Sequence, residues 1–178
     1  MLTAAFTGHR PDKLGGWSGN SPVAETVRRA LADIVRRTLR KYPGASFLSG
    51  MAPGVDQWAA ESVLAARDQG AQCRLVAVVP FEGQEHRWPE ASQLRYRELL
   101  RRADEVVVLA PVPSGPKEAR RLLLARNRWM VERAGVVLAV WDGSPGGTAH
   151  TVRFAAQAGR VVVLFDPRHP EAGWQVLG

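Results

Sequence analysis

Gly135-Val136-Val137-Leu138-Ala139-Val140-Trp141-Asp142-Gly143-Ser144-Pro145-Gly146-Gly147-Thr148 is the stretch whose reading decides the fold. Its first half is a short unbroken apolar run, the pattern of a strand buried on both faces. Its second half is a glycine-rich turn. Beyond the turn, Ala149 to Ala158 carries Val152, Ala155 and Ala156 at helical spacing. The turn therefore joins the carboxyl end of a strand to the amino end of a helix. In an α/β protein such a junction binds phosphate. Backbone N–H groups point outward, the helix dipole adds partial positive charge, and glycine lets an anion come close.

The same alternation extends in both directions. Leu2–Thr7 reads as a strand, Gly8 to Asn20 as a glycine-rich loop, and Ser21-Pro22 as the cap and first position of a helix running to about Tyr42. That helix carries an apolar stripe, Val23, Val27, Leu31, Ile34, Val35 and Leu39, flanked by Arg28, Arg29, Arg36, Arg37 and Arg40. Pro43-Gly44 breaks it. Strands follow at Ala45–Ser49, Cys73–Val79, Glu105–Leu109 and Val161–Phe165. Helices lie from Val55 to Gln69, ending near Ala103, from Glu118 to Arg133, and from Thr148 to Ala158. Phe81 to Pro89 reads as looser chain and the tail from Pro167 as irregular. Apolar strands separated by amphipathic helices imply a mostly parallel sheet with helices on both faces. The expected fold class is α/β, a Rossmann-like doubly wound sheet forming a single domain over residues 1–178.

The chain has 178 residues, 46% hydrophobic and 23% charged, the composition of a globular domain with a full core. No apolar run reaches the roughly 18 residues that span a bilayer, so no membrane partner is expected. The opening residues, Met1 to Phe6, have no basic leader and no apolar core of signal length. The single cysteine, Cys73, opens a strand and reads as a buried, inert thiol. Together these point to a cytoplasmic protein. The net charge of +7 suits an anionic partner. It is equally served by solvated arginines on helix faces, since arginine is a good helix former.

In a doubly wound sheet, ligands sit outside the carboxyl ends of the strands. Three glycine-bearing loops fall there: Thr7-Gly8-His9-Arg10-Pro11, Ser49-Gly50-Met51-Ala52-Pro53-Gly54-Val55-Asp56, and Pro145-Gly146-Gly147-Thr148. The first is not a G-x-G-x-x-G fingerprint, and no Gly-Lys-Ser/Thr follows a glycine loop anywhere. A P-loop ATPase and a conventional dehydrogenase are thereby disfavoured. His9, His86, His150 and His169 are scattered without metal-ligand spacing, so no metal site is expected. In the helix before the 136–141 strand, Arg126 shares a face with Met130, and Asn127 with Val131. Asparagine is a poor helix former, so Asn127 reads either as a contact to a base or ribose hydroxyl or as a surface residue.

The segment Ser49 to Ala60 resembles the S-G-x-A-x-G-x-D motif of the SLOG superfamily, which groups the DprA/Smf proteins with the LOG-type cytokinin-activating enzymes. Thr7-Gly8-His9-Arg10-Pro11, Arg126-Asn127-Arg128-Trp129-Met130-Val131 and Asp142-Gly143 with Gly146-Gly147-Thr148 resemble its YpsA-like branch. The resemblance implies a Rossmann-like fold and a nucleotide-derived ligand in the crevice. LOG-type enzymes carry P-G-G-x-G-T-x-x-E with a catalytic glutamate. Here Pro145-Gly146-Gly147-Thr148 lacks the extra x-G, and Ala149-His150-Thr151-Val152 holds no carboxylate.

The leading expectation is a nucleotide-binding, sensor-type domain with no required cofactor beyond the bound nucleotide. Gly146, Gly147 and Thr148 would hold the phosphate, and Thr7, Gly8, His9 and Arg10 the opposite wall. Ser49, Gly50, Gly54, Asp56, Arg126, Asn127 and Asp142 would complete the site. Gly8→Val and Gly147→Val are both expected to abolish binding and spare the fold. The second expectation is an N-glycosidic hydrolase of nucleoside monophosphates, with Asp56 or Asp142 as the carboxylate. The third is single-stranded nucleic-acid binding. There Trp17 and Trp88 are the loop tryptophans free to stack, while Trp58, Trp129 and Trp141 fall on core elements. The resemblance also implies self-association as a homo-oligomer, a dimer in the simplest case; the candidate surface is the Glu118–Arg133 helix, whose Leu122-Leu123-Leu124 is more apolar than a one-sided helix needs, unless that helix is buried within the monomer.

Overall fold

The computed structural model describes residues 1–178. Strands β1 (Thr3–Gly8), β2 (Ser46–Ser49), β3 (Arg74–Val79), β4 (Glu105–Val108), β5 (Val136–Val140), β6 (Val161–Phe165) and β7 (Gln175–Val176) form one seven-stranded sheet. The connecting helices are α1 (Pro22–Lys41), α2 (Val55–Asp68), α3 (Glu90–Arg102), α4 (Pro116–Arg133) and α5 (Gly147–Gln157). The strand order is β4-β3-β2-β1-β5-β6-β7, parallel throughout except that β7 runs antiparallel to β6. The chain winds outward from β1 to β4, returns through α4, and inserts β5 on the other side of β1. The switch in direction therefore lies between β1 and β5, where a doubly wound sheet opens a crevice at its carboxyl edge.

The core follows from the apolar stripes. One cluster seats α1, α2 and α3 on Phe6, Phe47, Leu75 and Ala77, with Phe6 and Phe47 stacked at 5.6 Å. Two smaller clusters seat α4 and α5 on the opposite face, through Met130 and Val131 with Val152 and Ala155. Val27, Leu31, Ile34, Val35 and Leu39 of the α1 stripe are buried. Val23 is not, because the first turn rotates Ala24 inward instead. Ser21 caps α1 as its sequence predicts, accepting from the Ala24 N–H at 3.0 Å, with Pro22 at the first position. Such a cap is worth about 1 kcal/mol.

Several sequence expectations need correction. The tail is ordered: a short 3-10 turn at Pro170–Ala172 leads to β7, and Trp174 donates to the Ala30 carbonyl at 3.0 Å. Trp88 is not a free loop aromatic. It is 9% exposed and lies edge-on to Tyr96. Trp129 and Trp141 are half-buried rather than core. Leu122, Leu123 and Leu124 are all half-buried. The exposed apolar side chains instead include Val106 and Val108 on the edge strand β4. Cys73 sits one residue before β3, half-buried, and burial pushes its thiol pKa up.

The two glycines singled out by sequence differ in what surrounds them. A Cβ on Gly8 would lie 2.5 Å from Val55 Cγ1, whereas one on Gly147 would meet nothing within 4 Å. Gly8→Val therefore disturbs packing as well as any ligand, contrary to the sequence expectation. Gly8→Ala should lower stability by about 1–3 kcal/mol through overpacking, read as a shifted urea midpoint. Gly147→Ala should leave that midpoint within about 0.5 kcal/mol of wild type.

Candidate functional site

At the β1–β5 switch point lies a cavity of about 270 Å³. Its lining brings together Thr7, Gly8, Arg10, Asp56, Arg126, Asn127, Gly147 and Thr148, eight residues that the sequence reading had placed on four separate elements. Phe6, Asp12, Lys13, Ala52 and Leu123 complete the wall.

The remaining sequence-selected residues do not line the cavity; they build it. Gly54 has φ +91°, and a Cβ there would lie 2.5 Å from the His9 carbonyl oxygen. Glycine alone permits that approach, which lets the Val55 N–H donate to His9 O at 3.2 Å. The two loops after β1 and β2 are thereby joined. Gly50 serves similarly: a Cβ would run into the Arg126 guanidinium and lie 2.8 Å from Asp56 Oδ2. Ser49 Oγ donates to Asp56 O at 2.9 Å and accepts from Met51 N at 3.1 Å. The second bond steadies Met51, the one non-glycine residue with positive φ, at 60°. Gly146 precedes α5 with φ +142°.

His9 and Asp142 pair beneath the first loop rather than facing the cavity. His9 Nε2 lies 2.8 Å from Asp142 Oδ1 and 3.2 Å from the Asp142 backbone N. Burial lowers the His9 pKa, outweighing the neighbouring carboxylate. For Asp142 burial acts the other way, yet the Ser144 hydrogen bonds and His9 prevail and hold the carboxyl well below its usual range. Asp142 Oδ1 accepts from Ser144 N at 2.9 Å, and Lys13 Nζ donates to Ser144 Oγ at 2.8 Å and Pro145 O at 3.1 Å. Lys13 thus ties the first loop to the glycine turn. Of the two carboxylates considered for catalysis, only Asp56 faces the cavity.

Arg126 is the deepest charge, 4% exposed. Its Nη1 donates to Gly50 O at 2.7 Å and Val78 O at 3.2 Å, and its Nε donates to Asn127 Oδ1 at 2.8 Å. Gln84, from the loop read as loose, donates to the same Gly50 carbonyl at 3.2 Å. Asp56 is 8% exposed. Burial raises its carboxyl pKa against the pull of Arg126 and Arg10. Arg10 makes no hydrogen bond or ion pair of its own and lines the cavity wall. Opposite, α5 alone among the five helices has neither a side-chain cap nor an acidic residue in its first turn. Its first N–H groups, at Gly147 and Thr148, border the cavity with the positive end of the helix dipole behind them.

Leu123 was within reach of sequence reasoning, one helical turn before Asn127. Asp12 and Lys13 belong to the first carboxyl-edge loop, but the 3-10 turn Pro11–Lys13 that aims them has no distinctive pattern.

Fold and site together define a Rossmann-like α/β protein with a charged cavity at its topological switch point. The YspA SLOG family matches residues 4–160, and the chain belongs to that family. It is similar to a UPF0398 protein of Bacillus thuringiensis (strain Al Hakam), 30% identical over 162 residues, covering 90% of this chain and 86% of that one. A UPF0398 protein of Halalkalibacterium halodurans is 27% identical over 157 residues, covering 87% and 80%. Among solved structures, DNA processing protein A of Helicobacter pylori superposes with TM-score 0.61 at 18% identity, covering 97% of this chain and 73% of that one. The Streptococcus pneumoniae protein gives TM-score 0.58 at 18% identity, covering 92% of this chain. The chain spans about half the length of that protein, 50%. At such identity these two likenesses establish the fold. No helix is long and apolar enough to cross a membrane.

The His9–Asp142 contact has a testable pH signature. A carboxyl whose folded pKa is depressed contributes stability above its unfolded pKa and loses it as pH falls. Asp142→Asn should therefore melt below wild type at pH 7, and the gap should narrow steadily below about pH 4, as followed by thermal unfolding across pH.

Proposed function

We propose that this protein binds the phosphate of a nucleotide or nucleotide-derived ligand in the switch-point cavity, as a sensor or regulatory binding domain. The uncapped α5 N-terminus, with Gly147 and Thr148 facing the same cavity as Arg10 and Arg126, is the observation that carries this reading. Backbone N–H groups and a dipole supply a fixed anion site. Arg10, with no partner in the protein, supplies a guanidinium fork for a phosphate. Asp56 and Asn127, deeper in, suit ribose hydroxyls or a base edge. The volume of about 270 Å³ is at the small end for ligand sites and suits one mononucleotide unit rather than two.

N-glycosidic hydrolysis is the second reading, and Asp56 favours it. It is a cavity carboxyl whose pKa burial raises, the direction a general acid requires. Release of free base from a nucleoside monophosphate, lost in Asp56→Asn, is its signature. DNA processing protein A of Helicobacter pylori binds single-stranded DNA, and the net charge of +7 suits a strand as a further ligand class.

Thermal unfolding against mononucleotides, NAD, ADP-ribose and cyclic dinucleotides tests the main reading. A ligand at about 100 times its Kd stabilises by roughly 2.7 kcal/mol, a shift of a few degrees. The shift should vanish in Gly147→Val, whose fold is spared, and shrink in Arg10→Ser. A panel with no responder overturns the proposal. Arg126→Ala is a poor probe, because it also removes the buried donor to the Val78 carbonyl and one of the two donors to Gly50 O.

A further inference from the structure

The arginines of the two helical layers are used differently. On the α1–α3 layer they close cross-element ion pairs: Arg95–Glu61 at 2.8 Å, Arg102–Asp68 at 2.7 Å and Arg67–Asp104 at 3.1 Å. Between α4 and α5 there is none. α5 contains no acidic residue, and the two acids of α4, Glu118 and Glu132, pair only within that helix, with Arg121 and Arg133. Lys117, Arg120, Arg128 and Arg153 are exposed and form no ion pair.

These charges are arranged along a seam. Val131 packs with Val152 and Ala155, which sets the face of α4 that meets α5. Leu124 and Arg120 lie on that same face, two and three turns earlier. From the other side, the Arg128 guanidinium sits 4.8 Å over the Phe154 ring. His150 and Gly147 precede Phe154 by one and two turns on the same stripe of α5. The seam runs from the Arg128–Phe154 cation–aromatic pair, past His150 and Arg120, to the cavity mouth at Gly147.

We propose that the α4–α5 seam is a binding surface for a single-stranded polynucleotide. Unpaired guanidiniums track a phosphate backbone, and an arginine held over an aromatic ring leaves its outer side for a base to stack on. A second copy of this chain is disfavoured there, since two like-charged faces would meet. The seam meets the cavity only at its Gly147 end, and Arg120, Arg128 and Phe154 lie outside the cavity wall, so the proposal does not rest on the nucleotide reading.

Anisotropy of a labelled oligothymidylate of about 20 nucleotides tests it, with oligouridylate as the RNA arm. Arg120→Ser/Arg128→Ser should weaken binding at least tenfold. It should also reduce the slope of log affinity against log salt by about 0.7, the value for the one phosphate contact made by Arg120. Removing the same charge from α1, in Arg36→Ser/Arg40→Ser, and from the cavity, in Arg10→Ser, should each change affinity less than twofold. Absence of binding at about 50 mM salt overturns the proposal, as does an equal loss in the α1 variant, which would mean net charge alone. Loss in Arg10→Ser with retention in the seam variant places the strand in the cavity and also overturns it. Capture of phosphatidylserine vesicles but neither oligonucleotide does the same. Circular-dichroism melting confirms that each variant is folded.

Discussion

A guanidinium cannot be buried without partners, and that of Arg126 organises the carboxyl edge of the sheet. Desolvating a charge costs several kcal/mol unless hydrogen bonds replace the lost water. Here the Gly50 and Val78 carbonyls replace it, at the ends of β2 and β3. The bond to Gly50 fixes α4 against the loop that carries Asp56, and the bond to Asn127 Oδ1 orients that amide toward the cavity. Gly50 must be glycine for this to happen, because a Cβ would occupy the guanidinium's place. One buried charge thus sets the position of α4, the conformation of the β2 loop and the depth of the cavity.

A second constraint operates between loops. Gly8 presses on Val55 and Gly54 presses on the His9 carbonyl, so the chain after β1 and the chain after β2 touch as bare backbone. The contact directs Arg10 into the cavity and His9 down onto Asp142. Lys13 then reaches across to Ser144 and Pro145. The turn before α5 is held from outside by Lys13 and from below by His9 and Asp142. Its helix end stays free of any capping side chain. Under the proposed reading, a helix end held in this way and free of internal partners is preorganised for an external anion.

The basic charge looked in sequence like an ordinary solvated helix face, and on the α1–α3 layer that is what it is, neutralised in part by acids on neighbouring elements. The α4–α5 layer has no such acids across its seam. Helical periodicity placed each arginine on an outer face but had no means of saying which carboxylates would lie opposite. The leucine triplet of α4 illustrates the same limit. Its composition pointed outward to a partner, whereas its three side chains are half-buried against the molecule itself.

The sequence by itself determined the α/β alternation, the single parallel sheet, the cap of α1 and the three loops at the carboxyl edge. Each of those follows from local periodicity, turn chemistry and the handedness of parallel crossovers. It also marked Asn127 as a residue that sits oddly in its helix. Only the tertiary structure decided that Asp56 faces the cavity while Asp142 serves His9, that Gly8 is packed and Gly147 open, and that Trp88 is core. Those outcomes depend on which loops touch across the sheet edge and on the rotation of each helix about its axis. Both are set by packing between segments distant in the chain, and no local pattern encodes them.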